Sequence, residues 1–232
     1  MTYKYLLFLP ILLLANENID NQEIVKQLKK MCSMNDAKSC NRLGNYYEHS
    51  LYGVTKNHKK AFNYYNIACK NNFYKACSNL GYYYQTGLYV KKDYNKSFKL
   101  YKTSCMHASP KGCYNLGLSY RDALGTKKDY DRAFILFDYA CKNNISRACS
   151  HIGLIYEDGL GKSKDLNKAM NYYNKACNKK DPIGCHNLGL LYYNFKKNKQ
   201  KAIEYFKEGC LLNYSDSCEN IVILDRRKKS KR

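Results

Sequence analysis

The sequence contains twelve cysteines, and their regular spacing limits the chemistry that they could perform. They form six pairs, and in every pair the second cysteine stands eight positions after the first. Successive pairs are offset by 37, 36, 36, 36 and 33 residues, so the pairs are evenly distributed along the chain. The pairs are Cys32 with Cys40, Cys69 with Cys77, Cys105 with Cys113, Cys141 with Cys149, Cys177 with Cys185, and Cys210 with Cys218.

Three chemistries are open to paired cysteines: zinc binding, redox catalysis and structural cross-linking. A zinc site needs close pairs such as Cys-x-x-Cys with a second pair beside them, and redox catalysis needs one distinctive pair. Six equivalent pairs in a chain with an export signal instead favour structural disulfides. We therefore predict six disulfides, each contributing about 2 to 3 kcal/mol by closing a short loop, and neither a metal site nor a cofactor.

The residue two positions after the second cysteine of each pair is usually asparagine. We call the residues at this position the asparagine column. Its members are Asn79, Asn115, Asn187 and Asn220, with Arg42 and His151 in the two remaining units. Asparagine amides can clamp an extended peptide through paired donors and acceptors, so Asn79, Asn115, His151 and Asn187 are candidate ligand-binding residues. The alternative, which we favour, is that these side chains bridge neighbouring repeats or cap local backbone. His151 is equally well explained as an incidental substitution.

The elements that must position these residues are pairs of helices. Apolar residues recur three and four apart before and after each cysteine pair, which is the helical period. Between the helices lies a loop such as Glu157 to Asp165, where glycines permit the turn and Asp165 is suited to cap the next helix. A unit of about 36 residues repeated along the chain predicts an all-α array of two-helix repeats.

Small residues recur at fixed positions in both helices of the unit. Because glycine inside a helix costs roughly 1 kcal/mol relative to alanine, its recurrence indicates close packing between helices. We assign the surrounding tyrosines and phenylalanines to the core in preference to a stacked ligand site. The first helices carry Gly44, Gly81, Gly117, Gly153 and Gly189, and the second helices carry Ala61, Ser97, Ala133, Ala169 and Ala202.

The two ends of the chain differ from the repeats. One lysine followed by a short apolar run that ends at Ala15 predicts a secretory signal peptide over residues 1–15. A transmembrane anchor is the competing interpretation, but a span needs roughly 18 to 20 apolar residues. We expect the repeat array over residues 16–224 and a basic tail over residues 225–232. The mature chain is then a secreted or periplasmic protein with no membrane span, and we expect a monomer.

The formal net charge is +21, and six basic side chains lie in the last seven residues. In the cytoplasm such a tail would indicate nucleic acid. Behind a signal peptide, acidic envelope polymers or anionic lipid surfaces are better matched partners, and a solvated, disordered end is an equally good explanation. We therefore expect no nucleic acid partner.

The repeat resembles a known family. Leu-Gly-x-x-Tyr in the first helix and Lys-Ala-x-x-x-Tyr-x-x-Ala in the second, as in Lys60 to Ala68 and Lys168 to Ala176, are similar to Sel1-like repeats, which are relatives of the tetratricopeptide repeat. With the added cysteines the chain resembles the Helicobacter cysteine-rich protein family over about residues 22–224. The resemblance implies a right-handed α-solenoid cross-linked by disulfides. It also implies a secreted β-lactamase that binds penicillin and cephalosporin derivatives and hydrolyses them slowly.

The residues do not supply the usual β-lactamase chemistry. The motifs Ser-x-x-Lys, Lys-Thr-Gly and Ser-Asp-Asn are all missing from the sequence, and Ser215 to Ser217 is typical of a helix start. The five histidines form no cluster in sequence that could hold a catalytic zinc. No nucleophile can be nominated. The alternatives are a non-enzymatic module that binds a peptide or protein on the concave face of the solenoid, from the cell wall or a host, and a secreted effector that acts on host proteins.

Overall fold

The structure, a computed structural model, describes residues 9–229, with side chains for residues 21–224. This part of the chain folds into twelve helices and contains no strand, which confirms the predicted all-α class. The helices are α1 Leu9–Ser33, α2 Ala37–His49, α3 His58–Lys70, α4 Tyr74–Thr86, α5 Tyr94–Met106, α6 Pro110–Asp122, α7 Tyr130–Lys142, α8 Ser146–Asp158, α9 Leu166–Asn178, α10 Pro182–Asn194, α11 Lys199–Leu211 and α12 Ser215–Lys229.

The predictions for the two ends of the chain stay predictions. The signal peptide (1–15) and the basic tail (225–232) lie outside the residues whose side chains are described. Within the described part, every helix lacks either the length or the apolarity needed to cross a lipid bilayer.

Helices α2 to α11 form five helical pairs, and every one of these helices is thirteen residues long. The loop that we expected to begin at Glu157 begins two residues later. Gly159 ends α8 in the left-handed conformation at φ 73°, and its N–H donates to the carbonyl of Ile155. Glu157 and Asp158 therefore remain helical, because the glycine and not the preceding acidic pair sets the end of the helix.

The chain divides into two compact units, residues 1–112 and 113–232. In the first unit the core is formed by fully buried side chains such as Leu43, Tyr65 and Tyr83. In the second unit the fully buried Phe137, Ile152 and Tyr173 have the same role. Each core therefore lies between the first and second helices of successive repeats, as the helical spacing of apolar residues requires.

Each second helix begins at a capping side chain. Asp165 accepts a hydrogen bond from the N–H of Lys168, which confirms its predicted role. A capping oxygen of this kind satisfies one of the N–H groups that an α-helix leaves without an internal partner. The equivalent caps are Asn57, Asp93, Asp129 and Asn198.

The recurring glycines lie where the two helices of a repeat touch. A Cβ atom added at Gly44 would lie 2.5 Å from Tyr65 Cε1, and one added at Gly153 would lie 2.5 Å from Tyr173 Cε1. Gly81, Gly117 and Gly189 meet Tyr101, Phe137 and Phe206 in the same way. The predicted close packing is confirmed, and its reason is specific: the glycine leaves room for the aromatic ring of the following helix.

The disulfides join each second helix to the first turn of the next first helix. Five bridges have Cα to Cα distances between 4.5 and 4.9 Å, inside the range that disulfides adopt. Cys105 and Cys113 are also disulfide-bonded. No free cysteine remains among the described residues, so the predicted framework of six bridges is confirmed.

Candidate functional site

The asparagine column is occupied by contacts between repeats. In the first unit, Asn79 Nδ2 donates to Asn41 Oδ1 at 3.3 Å, and Asn79 Oδ1 accepts from Lys111 Nζ at 2.9 Å. The partners come from the preceding and following repeats, so this amide links three repeats. Its geometry agrees with the bridging alternative for the column.

His151 stands in the column of the second unit and is held on three sides. Arg121 Nη1 lies 2.8 Å from its Nδ1, the Tyr114 hydroxyl lies 3.2 Å from its Nε2, and its ring stacks on Phe137 at 5.0 Å. Burial lowers the pKa of His151 to about 3, with a further contribution from the Arg121 and Arg147 charges. Since Arg121 is always a donor, Nδ1 accepts and Nε2 carries the proton. The imidazole is neutral with both nitrogens engaged, which leaves it no role as a general base.

The two remaining candidates also lie in the second unit. Asn187 is half-buried, and its side chain lies beside the Tyr173 hydroxyl and lowers the pKa of that group. Asn115 is half-buried and is likewise engaged. A ligand that used these amides would have to replace bonds that already exist between helices, so ligand binding at Asn79, Asn115, His151 and Asn187 stays a prediction.

In each first helix, the residue four positions after the recurring glycine varies with the buried aromatic residue of the second helix. Where that aromatic residue is tyrosine, its hydroxyl donates to an acceptor: Tyr65 to Glu48, Tyr101 to Gln85 and Tyr173 to Glu157, each at 2.6 Å. Where it is Phe137 or Phe206, the matched position holds Arg121 or Tyr193. The sequence analysis missed this pairing, although comparison of the repeats with one another contains the signal.

A cation–π contact with a tyrosine also recurs in all five repeats. The basic residue three positions after each cap lies 5.0 to 5.5 Å from the centroid of the ring. Such cation–π contacts hold the basic side chain against the tyrosine surface. The pairs are Lys60 with Tyr47, Lys96 with Tyr84, Arg132 with Tyr120, Lys168 with Tyr156, and Lys201 with Tyr192.

One serine is bonded to a histidine in the second unit. His186 Nδ1 lies 3.0 Å from Ser217 Oγ, and Ser217 is fully buried while His186 is 8% exposed. Burial lowers the pKa of His186, whose ring also contacts Phe206 and Tyr214. The pair has the donor and acceptor types of a nucleophile and its base, but a substrate carbonyl cannot reach a buried hydroxyl. No group of three metal-binding side chains occurs among the described residues.

Each unit contains a groove beside a stacked pair of tyrosines. The groove of the first unit has a volume of about 490 Å³ and is lined by α1, α2 and α3 with the Tyr47 and Tyr64 pair. The groove of the second unit has a volume of about 270 Å³ and is lined by α9, α10 and α11, with the Tyr192 and Tyr205 pair. Both grooves lie apart from the asparagine column, and the first unit has a further groove of about 320 Å³ lined by α1 and by Tyr52, Gly53 and Val54.

The two units differ in charge. Residues 21–112 include sixteen basic and four acidic side chains, whereas residues 113–224 include seventeen basic and twelve acidic side chains. In the first unit, Asp36 and Asp93 cap helices, Glu48 accepts from Tyr65 and Glu23 pairs with Lys26. Its few carboxylates are thus engaged locally, and its lysines create a positive surface potential.

The repeat pattern is that of a described protein family. The Sel1 repeat model matches residues 37–73, 75–109, 110–145, 146–181 and 182–214. These five matches cover most of the chain and coincide with the five helical pairs. The chain belongs to the Sel1 repeat family.

The chain is also similar to solved structures. A Sel1 repeat protein from Oxalobacter formigenes is 31% identical, with a TM-score of 0.73 over 79% of this chain and 76% of that one. A protective antigen of uropathogenic Escherichia coli with an SLR fold is 24% identical, with a TM-score of 0.73 over 88% of this chain and 44% of its own length. Cysteine rich protein B of Helicobacter pylori is 29% identical over 57% of this chain and 94% of its own, with a TM-score of 0.44. No curated protein sequence gave a significant match.

Proposed function

We propose that this Sel1 repeat protein is an exported, non-catalytic binding module for an acidic protein or peptide. The observation that supports this most directly is the charge of the first unit, where sixteen basic side chains face only four locally engaged acidic ones. Such an excess of one sign steers oppositely charged partners and disfavours partners of like charge. The protein-binding role common among repeat proteins agrees with this proposal.

The groove of the first unit offers a partner both charged and apolar contacts. Lys29 and Lys60 line it together with Tyr64 and Ile67, and Ile67 is 38% exposed. Aromatic and apolar anchors surrounded by charges are the arrangement from which protein interfaces draw affinity and orientation. An acidic segment with an aromatic or aliphatic residue matches both features of the groove.

The disulfides and the predicted signal peptide support a location outside the cytoplasm. Bridges persist in oxidising compartments and are rare where thiols are kept reduced. They also pre-organise the surface of each unit, because a bridge within a unit joins consecutive helices covalently. A pre-organised surface loses less conformational entropy when it binds.

The proposal is tested with a short labelled peptide rich in glutamate and tyrosine, titrated with the full oxidised chain and followed by fluorescence anisotropy. We expect salt to weaken binding, and the double variant Lys29→Glu, Lys60→Glu to weaken it about tenfold, equivalent to about 1.4 kcal/mol. The matched control is Lys175→Glu, Lys207→Glu, which changes the net charge equally in the second unit. Equal losses in both variants, or equal binding of a lysine-rich peptide, would contradict the proposal.

Hydrolysis of β-lactams is the second candidate function. It is supported by the resemblance to the Helicobacter cysteine-rich proteins and by the hydrogen bond between Ser217 and His186. Because Ser217 is buried, α12 would have to move away before the hydroxyl could attack a ring carbonyl. This requirement makes the binding proposal the better supported of the two.

A chromogenic cephalosporin and intact-mass analysis test this second candidate together. The enzyme hypothesis requires saturable ring opening and an acyl adduct that disappears in the Ser217→Ala variant. The reduced, unfolded chain is the control. A rate in the folded protein no greater than in this control rules the hypothesis out.

A further inference from the structure

Helix α9 presents a stripe of three exposed asparagines. Asn167, Asn171 and Asn174 follow one another at spacings of four and three, which places them on one face of the helix. All three line the groove of the second unit. This amide stripe is separate from the asparagine column, whose members lie on the first helices of the repeats.

The composition of the stripe departs from the equivalent positions in the same unit, whereas α3 of the first unit has asparagine at two of the three, Asn63 and Asn66. The three positions are Asp131, Ile135 and Asp138 in α7, and Gln200, Glu204 and Lys207 in α11. Asparagine has a lower helix propensity than glutamine, glutamate or lysine, because its side chain competes for backbone hydrogen bonds. The three asparagines of the stripe, together with the exposed Asn178 outside the groove, therefore reduce the stability of this thirteen-residue helix without any gain from burial. Hydrogen bonds from these amides to a ligand would account for asparagine at these positions despite its low helix propensity.

The other side chains that line the groove are uncharged, with one exception. Met170 and Leu188, which are 8% and 1% exposed, form an apolar floor, and Tyr205 stacks on Tyr192 with ring centroids 5.3 Å apart. The only charged side chain in the lining is Lys196, whose Nζ donates to Asn167 Oδ1 at 3.0 Å.

The loop that carries Lys196 is shorter than the corresponding loop of the preceding repeat. Residues 195–198 connect α10 to α11, whereas residues 159–165 connect α8 to α9. Phe195 ends α10 and Lys197 adopts a positive φ of 53°, so the chain turns within a few residues and leaves Lys196 beside the groove. The short loop therefore lies next to the amide stripe.

The chemistry of this lining selects its ligand. Amides both donate and accept, so they match hydroxyl groups, which also do both, better than they match an ion. The apolar floor and the Tyr205 ring suit a flat C–H surface. A volume of about 270 Å³ lies just below the roughly 300 to 1,000 Å³ of small-molecule sites, which suits a single ring better than an extended peptide.

We infer that the groove between α9 and α11 binds one sugar ring of an uncharged saccharide, with Asn171 and Asn174 hydrogen-bonding its hydroxyls. The inference does not depend on the acidic partner proposed for the first unit. Asn167 is held by Lys196, which fixes that end of the groove and leaves the other two amides for the ligand.

The inference is tested on the full oxidised chain by NMR titration of the asparagine side-chain amides. The probes are cellotriose, maltotriose and triacetylchitotriose, each added to about 10 mM because weak millimolar binding is expected for one ring. We expect at least one of them to shift the Asn171 and Asn174 amides saturably. The variant Asn171→Ala, Asn174→Ala should weaken that binding at least tenfold and should not unfold α9, since alanine favours the helix.

The matched control replaces two exposed residues of the same helix outside the groove, Lys175→Ala and Asn178→Ala, and should leave binding unchanged. Three results overturn the inference: no shift with any of the three sugars, equal loss in the groove and control variants, or saturable shifts with an uncharged peptide in place of the sugars. None of these results affects the peptide titration designed for the first unit.

Discussion

His151 occupies a position where other repeats have asparagine, and its surroundings show what one substitution changed. Asn79 bridges repeats through an amide, whereas His151 does so through a stacked ring with a nitrogen bonded on each side. Arg121 accompanies it, at the position where Glu48 or Glu157 would otherwise accept from a tyrosine. Arg121 and Phe137 of one repeat and His151 of the next are thus three parts of one contact.

The neutral state of His151 makes the stability of the protein depend on pH. Its pKa is about 3 in the folded chain, whereas an unfolded histidine has a pKa near 6.5. The unfolded chain therefore binds an additional proton between these values. The stabilising contribution is fully present above about pH 6.5 and is lost as the pH falls toward 3. We expect His151→Asn to remove this part of the pH dependence in thermal unfolding, and an unchanged slope would contradict the assignment.

At the scale of elements, the contact between a glycine and an aromatic ring sets the distance between the helices of each repeat. We expect Gly153→Ala to lower the free energy of unfolding by about 1 to 3 kcal/mol, because its Cβ would overlap the Tyr173 ring. Lys175→Ala, on the exposed face of α9, is the control. The loss should shrink in a Tyr173→Leu background, and a loss of the same size there would contradict the proposed overlap.

The helix caps predict a second difference between elements. Asn198→Ala should destabilise the protein by about 1 kcal/mol in denaturant unfolding, whereas Asn198→Asp should preserve the cap. The Lys168 N–H that Asp165 accepts holds the pKa of that carboxyl below its usual value. The stabilising effect of the Asp165 cap is therefore present above about pH 4 and is lost in stronger acid. Asp165→Asn should remove this acid sensitivity, and persistence of the full sensitivity would show that other groups cause it.

For the whole molecule, the disulfides are the feature that acts on every repeat. We expect the double variant Cys141→Ala, Cys149→Ala to lose about 2 to 3 kcal/mol of stability, the value for closing a short loop. Hydrogen exchange should show the loss first in α7 and α8, because repeat proteins are stabilised through nearest neighbours. The intact oxidised chain should not react with alkylating agents until it is reduced, and reactive thiols before reduction would contradict the framework.

The features predicted correctly from sequence are those that depend on residues close together in the chain. Cysteines eight positions apart, a capping Asp165 and a glycine facing a ring are each defined within one repeat or one short connection between repeats. The roles of Asn79 and His151 were not resolved, because they depend on which face one repeat turns toward the next. The tyrosine hydroxyl bonds lie within one repeat, but their acceptors, Glu48, Gln85 and Glu157, differ in residue type, so no single motif marks them. The amide stripe of α9 was missed for the same reason, since its groove exists only when α11 lies beside α9.

The position of each bridge also has a consequence for how such a chain changes in evolution. The two cysteines of a bridge flank one short connection between consecutive repeats, so a duplicated segment of one repeat length brings a complete bridge with it. Deletion of such a segment removes one bridge and leaves no orphan thiol that could pair wrongly. An array built in this way can gain or lose units while every remaining unit stays cross-linked, and its binding surfaces can diversify one repeat at a time.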